Sequence, residues 1–434
     1  RGGANVVGCA CVTMEAMQSE VSTRNGRVGR VGTAVAWLTT TVAFVSATRG
    51  PLYRIRTDFP GGRTGLLDDN WIQGITYSVF GLVIVTTIVA WPRLVRSARE
   101  ITATHVGFVA VLLVSSLWSI NSWRTFEQSL ILLVSVMAML GAGAMLSPAG
   151  LLTSLWAAMQ TTLVWSLWAR GHDWPNSIDN RGYLTGVFFN RNLLGAATAV
   201  AGLTSIVLIW TWRRGRLVVV PLVGLILAVW VGQRTDSVTP LIAVGISTLA
   251  GVFAGLWVRA SDDQRRRLRF LPAGAAIAAL TAFLFRDTVT GWFGRSPSMT
   301  GRTGVWYDIV DAWSRRPVQG FGFMAAWFDR GLRDALRARG RDLWEAHNGY
   351  LEVLVGGGII AGLALIVVGV IVLRALRRSI ASQSAFTPWF VAAVMYVAIV
   401  NLGETNIGAN RVPWLILVAV SVQAELSARS TDDR

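Results

Sequence analysis

Apolar residues in this 434-residue chain fall into runs of roughly 17 to 25, separated by short charged stretches. Such runs match the ~20 helical residues needed to cross a hydrocarbon layer of about 30 Å. Twelve are predicted, at about 31–48, 74–92, 102–120, 125–146, 149–169, 191–211, 217–232, 238–258, 270–286, 349–373, 386–402 and 411–427. Many tryptophans lie near run ends, among them Trp71, Trp91, Trp118, Trp168, Trp212, Trp257 and Trp414, where an amphipathic ring suits a membrane interface. The expected fold class is therefore all-α: a polytopic membrane protein of about twelve transmembrane helices.

Arginine placement tests this count independently, because short basic loops resist translocation. With the N-terminus inside, the inner loops carry Arg93, Arg96 and Arg99, then Arg213, Arg214 and Arg216, the cluster from Arg259 to Arg269, and Arg374, Arg377 and Arg378. The outer connections are then 49–73, 170–190, 233–237, 403–410 and the long segment 287–348, which is also arginine-rich but long enough to escape the rule. The expected organisation is an N-terminal cytoplasmic tail (1–30), one transmembrane domain (31–427) with the extracytoplasmic loop 287–348, and a cytoplasmic tail (428–434). No internal repeat is evident. Localisation to the cell membrane, with both termini cytoplasmic, follows.

Composition agrees. Hydrophobic residues make up 53% of the chain and charged residues only 15%, too little polar surface to cover a water-soluble globule of this size. The net charge of +16 comes entirely from arginine. Because it sits in loops between apolar runs, membrane lipid headgroups are the expected partner and nucleic acid is not. Cys9 and Cys11 are one residue apart, too close for an ordinary disulfide and too few for a metal site. His105 and His172 are expected to be structural.

The candidate chemistry concentrates in the long loop, which is predicted to contain short amphipathic helices. Arg302 and Thr303 precede an apolar stripe of Val305, Trp306, Ile309, Val310 and Trp313 that stops before Pro317. A helix starting there would hold Arg302 beside free backbone N–H groups at its positive end, a good place for a diphosphate. A second stripe, Phe328, Leu332, Ala335 and Leu336, has Arg330, Arg333, Arg337 and Arg339 on other faces and could lie on the leaflet surface. The loop closes with Glu345-Ala346-His347-Asn348 as the chain re-enters the membrane. At a helix N-terminus the dipole favours a neutral imidazole, which can act as a general base toward a hydroxyl. The alternative is an interfacial histidine that only caps the helix.

With these residues in view, the chain resembles the O-antigen ligase and polysaccharide polymerase family, especially its exopolysaccharide-production branch. The shared pattern is Gly301-Arg302-Thr303 with Trp306, then Pro317 through Gly320-Phe321-Gly322-Phe323, then Ala346-His347-Asn348-Gly349-Tyr350-Leu351-Glu352 with Gly358 and Gly362. Gly186 through Asn192 also looks like the family's segment entering a central helix, so the similarity covers roughly residues 180 to 425. The resemblance implies transfer of a glycan from a polyprenyl-diphosphate carrier to an acceptor hydroxyl on the outer membrane face, in cell-surface polysaccharide biosynthesis, without a metal or another cofactor. The implied partners are that lipid-linked donor and a glycan or lipid-glycan acceptor. Arg302 would hold the diphosphate and His347 would activate the hydroxyl.

Where the family often carries Ser-Arg or Ser-x-Thr, this chain has Ser237-Val238-Thr239. Arg234, one helical turn earlier, is a second candidate for the diphosphate, or it pairs with Asp236. Arg181, Arg191, Asn192, Ser237 and Asn348 are candidates for a substrate groove. Glu404 and Arg411 would pair across the site or only with each other. The competing expectation is a transporter of an anion or lipid-linked oligosaccharide, but its pathway needs ionisable residues near mid-membrane, and the predicted helix centres hold almost none.

Overall fold

The computed structural model describes residues 27–48, 69–174, 177–188, 190–212, 215–269, 302–341, 343–408 and 411–432. Its helices are α1 (Arg27–Thr48), α2 (Asp69–Ser97), α3 (Arg99–Val114), α4 (Ser122–Met145), α5 (Pro148–Gly171), α6 (Arg191–Trp212), α7 (Val219–Thr235) and α8 (Val238–Arg259). They continue with α9 (Asp262–Leu268), α10 (Arg302–Ser314), α11 (Arg330–Ala338), α12 (Gly349–Ala381), α13 (Thr387–Val400) and α14 (Val412–Asp432). Among the described residues there is no strand, only an isolated bridge between Ile178 and Leu184. The protein is all-helical.

Among the described residues seven helices are long and apolar enough to cross a membrane: α3 with the turn that follows it, α4, α6, α7, α8, α12 and α14. An eighth arises if α2, bent by 54° between Ser78–Val85 and Thr87–Ser97, is one span. Three more expected spans are helical but fall short of that length or apolarity. In α1 only Gly32–Thr48 is counted as apolar, α13 is a shorter apolar helix, and the unbroken helix α5 carries Ser154, Gln160, Thr161, Thr162 and Ser166 along its apolar run. The expected helix at 270–286, residues 287–301 of the long loop, residues 49–68 and the stretch 1–26 lie outside the described residues.

Burial runs opposite to the pattern of a protein in water. On α7, Leu222, Val223, Ile226 and Val229 are exposed while Pro221, Gly224 and Ala228 face inward. On α8, Leu241, Ile246 and Leu249 are exposed while Ala243, Ser247, Gly251 and Ala254 are buried. Small residues at helix contacts with large apolar residues outside are what a lipid solvent selects, because exposing that much apolar surface to water is unfavourable. The same rule packs α4 between α2 and α14, where its small segment Gly141 through Ala144 is fully buried. The protein is multi-pass in a membrane.

The helices α10 and α11 form a small second core above the bundle. Val305, Ile309 and Ala312 of α10 pack with Leu332 and Leu336 of α11, with Phe321 and Trp327, and with Val355 of α12. The apolar face of α11 is thus covered by protein, which corrects the expectation that this basic helix lies on a leaflet surface. The buried stripe of α10 also runs through Ala312 rather than Val310, which is 43% exposed.

This cap joins the bundle at a break in α12. Gly358 has φ +64° and ψ −162° inside the helix, and such a break frees backbone groups that must find partners away from water. The segment 317–322 supplies them: Ile359 N–H donates to the Pro317 carbonyl at 2.8 Å, and the N–H groups of Phe321 and Gly322 donate to Val355 and Gly356 at 3.0 and 2.7 Å. The approach is backbone against backbone. A Cβ at Gly358 would lie 2.2 Å from the Val318 carbonyl oxygen, and one at Gly320 would lie 2.5 Å from that of Gly356.

Candidate functional site

Five elements converge at the end of the bundle where α12 begins: the N-termini of α6, α10 and α12, the α7–α8 turn, and the α13–α14 connection. Arg302, the first described residue of α10, donates through one guanidinium nitrogen to the Gly403 carbonyl and through the other to Glu404 Oε1 at 3.0 Å. The second Glu404 oxygen faces His347 Nδ1 at 3.4 Å. Glu345 Oε1 lies 3.5 Å from the same nitrogen, and its other oxygen accepts from Arg411. The cluster is therefore a histidine between two carboxylates, each carboxylate with its own guanidinium.

His347 is held by its neighbours. Ala346, fully buried, donates its N–H to Glu352 Oε2 at 2.8 Å and accepts at its carbonyl from the Trp306 indole at 3.0 Å. The other Glu352 oxygen accepts from Trp327 Nε1 at 2.7 Å. His347 then takes a left-handed conformation, φ +48°, uncommon for a residue with a side chain. Asn348 closes the turn as N-cap of α12, its side-chain oxygen accepting from Tyr350 and Leu351 N–H at 3.0 and 3.1 Å. Between two pinned residues the imidazole has little freedom.

Burial alone would raise the Glu404 carboxyl. The hydrogen bond from His347 and the charge of Arg302 more than offset it, holding Glu404 below the ordinary carboxylate range. Glu404 is thus ionised and 7% exposed. Both carboxylates approach His347 through Nδ1.

Asn192 and Ser237 extend the network. Asn192 Nδ2 donates to Glu404 Oε1 at 3.4 Å, and Ser237 Oγ donates to Asn192 Oδ1 at 3.4 Å. Arg191, one residue before, belongs to a neighbouring cluster: it lies 3.3 Å from Asp236 and 3.9 Å from Asp179, with its guanidinium 4.4 Å from the Tyr183 ring centroid. Of the residues singled out in the sequence, Arg302, His347, Asn192 and Ser237 are joined by hydrogen bonds through Glu404, and Asn348 caps the helix beside them.

Arg191 thus stands outside that network, as do Arg234 and Arg181. Arg234 folds back onto its own helix, its guanidinium 3.6 Å from the Trp230 ring centroid and donating to the Trp230 carbonyl at 3.3 Å. It does not take Asp236, which Arg191 holds instead. Arg181 is an exposed turn residue whose backbone N–H donates to Asp179 at 2.9 Å. Nor do Glu404 and Arg411 pair with each other: each belongs to a different half of the cluster. His105 is fully buried, with Nδ1–H donated to the Ile101 carbonyl at 2.9 Å, and exposed His172 does the same to Trp168. Both are far in the chain's connectivity from the cluster and serve their own helices.

Glu345, His347 and Glu404 could each offer one ligand atom to a metal ion, these atoms lying within 4.8 Å of one another. Both carboxylates already face a guanidinium, so the donor set carries no uncompensated negative charge to attract a cation.

Fold and cluster together define a multi-pass membrane protein with a partly buried His–carboxylate–guanidinium site at one end of its helices. Residues 183–366 match the family model described as O-Antigen ligase. The chain is also 31% identical over 139 residues to the exopolysaccharide production protein ExoQ of Rhizobium meliloti (strain 1021), an alignment covering 28% of this chain. It spans 30% of that relative's length. These findings support an O-antigen ligase-like family for the chain. The matched stretch includes Asn192, Ser237, Arg302 and His347, but ends before Glu404.

Proposed function

We propose that this chain transfers a glycan from a polyprenyl-diphosphate carrier to an acceptor hydroxyl, in the making of a cell-surface polysaccharide. The observation that carries the reading is the single hydrogen-bonded unit Arg302–Glu404–His347, which puts a cation for an anionic leaving group and a base for a hydroxyl on two oxygens of one carboxylate. His347 Nε2 takes the proton of the acceptor hydroxyl as its oxygen attacks the anomeric carbon, and the bond from that carbon to the diphosphate oxygen breaks with its electron pair going to the diphosphate. Glu404 holds the imidazole in the required tautomer and stabilises the imidazolium that forms, a role familiar from carboxylate–histidine pairs in acyl transfer. Arg302 binds the departing diphosphate, for which a planar guanidinium is well suited.

Arg302 is held by Glu404 and Gly403, so donor binding requires it to share or exchange those partners. Neither Arg234 nor Arg181 joins this unit, and Arg302 is its central cation in the proposed reaction. No metal enters the scheme, since guanidiniums do the charge neutralisation. The proposal takes the chain as one transmembrane domain of twelve spans, with this end of the bundle outside and the arginine-rich ends of α2, α8, α12 and α14 in the cytoplasm. Positive loops at those ends support that orientation.

The test is turnover by reconstituted protein supplied with polyprenyl-diphosphate glycan. His347→Ala is expected to abolish it; full turnover by that variant would sink the proposal. The product of a deletion strain then separates two reactions: single repeats left on lipid indicate a polymerase, and finished polymer left on its carrier indicates a ligase.

A further inference from the structure

The cap buries Phe321, Phe323 and Trp327 but leaves Tyr307, Phe328 and Trp344 in the open. Trp327 and Phe321 are each 2% exposed, whereas Phe328 is 44% and Trp344 50% exposed. The latter two rings meet edge to face, with centroids 5.8 Å apart at 67°, and the Arg333 guanidinium lies 4.1 Å from the Trp344 centroid. An indole face, an aromatic wall and a guanidinium thus share one surface.

Its position matters as much as its composition. Trp344 directly precedes Glu345, the carboxylate 3.5 Å from His347 Nδ1, and the short stretch from 344 to 347 is pinned at Ala346 by Trp306 and Glu352. Trp344 is therefore three residues from His347 along a stretch held at Ala346. A tryptophan that anchors a spanning helix sits at the helix end with its ring at the headgroups; Trp344 is instead in a loop, against α11 of the cap.

We infer that Trp344, Phe328 and Arg333 form a saccharide subsite on the approach to His347. A pyranose ring has an apolar C–H face and a rim of hydroxyls. The indole face takes the former, by the same contact of C–H edge with π-cloud that orders aromatic pairs, and the guanidinium donates to rim hydroxyls or to a sugar carboxylate. Glycans bearing acidic groups gain most from Arg333. This subsite rests on the glycan-transfer reading for its place in a reaction, but glycan binding itself does not require turnover.

The test uses native electrophoresis of the detergent-solubilised full chain through gels containing the producing cell's own purified surface polysaccharide. Wild type is expected to be retarded, Trp344→Ala and Phe328→Ala to bind at least tenfold more weakly, and Trp344→Phe to fall between. Wild type that is not retarded, or Trp344→Ala retarded as strongly as wild type, overturns the subsite. Should Trp344→Ala fail to fold, Arg333→Gln and Phe328→Ala decide the matter alone. If wild type is retarded through Trp344 yet shows no turnover with lipid-linked glycan, the transfer reading fails and the subsite stands.

Discussion

The guanidinium of Arg302 reaches Glu404 at 3.0 Å while the other oxygen of that carboxylate faces His347 Nδ1 at 3.4 Å, so one buried acid links the proposed cation to the proposed base. Removing Arg302 leaves Glu404 charged and largely out of water, a situation that typically costs about 3–5 kcal/mol. Arg302→Ala should therefore both unfold at markedly lower temperature and lose turnover. Adding Glu404→Gln to it should restore much of the stability, because the uncompensated charge is gone, while turnover stays lost. Thermal unfolding in detergent and the reconstituted assay read the two effects separately; a double variant as unstable as Arg302→Ala would show that the pair is not the source of the penalty.

Glu404 also predicts an acid response. Its folded carboxyl lies below the ordinary carboxylate range, so its contribution to stability is present above the unfolded value and is lost as pH falls through the lower folded value. Arg302→Gln removes one of the two influences that hold it down, leaving burial to push it up. The variant's acid unfolding should begin at higher pH than that of wild type. Melting temperature followed from neutral pH downward checks this, and coincident acid limbs would contradict it.

Within the reaction, His347→Ala should lower turnover by about 10²–10⁴, the usual worth of a positioned general base. Glu404→Gln keeps a hydrogen-bonding group opposite Nδ1 but not the charge that stabilises the imidazolium. Its loss should fall on kcat, with the donor KM changed less than after Arg302→Lys, which cannot reach both Gly403 and Glu404 with one planar fork. Steady-state kinetics with varied donor separates the two outcomes.

How far the sequence alone reached can be judged from these same residues. Arg302 and His347 stood out because each lies at a helix start, where local chemistry and neighbouring residues are legible. Glu404 was visible only as an acid in a short connection, since its partners Arg302 and His347 are 102 and 57 positions away. For Glu404 and Arg411 the sequence left two readings, pairing across the site or only with each other, and the bundle gives the first: Arg411 meets Glu345 and Glu404 meets Arg302. Arg234 failed for a local reason that the sequence did not reveal: Asp236 turns left-handed, φ +48°, and the arginine stacks back on Trp230. The glycines at 320, 322 and 358 were noticed only as a resemblance, and their physical basis, a broken helix repaired by a passing loop, exists only in three dimensions. Among the described residues helix positions were legible because period and run length are local properties, while the shorter α13 and the more polar α5 depend on neighbours that cover them.

That repaired break makes Gly358→Ala a stringent probe of the cap. The residue has φ +64°, where an added Cβ is strained, and the Cβ would meet the Val318 carbonyl at 2.2 Å. Either the segment 317–322 withdraws and its hydrogen bonds with α12 are lost, or the helix straightens; both detach α10 and His347 from each other. The expected cost is several kcal/mol, about 1–3 for the backbone conformation alone, with the remainder from clash and lost hydrogen bonds. A normal melting temperature with full turnover would mean the loop and helix are not coupled there.

Ala346 offers a gentler perturbation of the same coupling. Trp306→Phe keeps the ring packing in the cap but removes the indole N–H that the buried Ala346 carbonyl accepts. Leaving that carbonyl unpaired should cost about 1–3 kcal/mol, a modest drop in melting temperature. The larger consequence is positional: His347 is left-handed and depends on Ala346 and Asn348 for its placement, so the imidazole should wander from Glu404. Turnover should fall while donor KM holds, because Arg302 keeps Gly403 and Glu404. If kcat were unchanged at the lowered stability, the indole would be serving the cap alone and not the placement of His347.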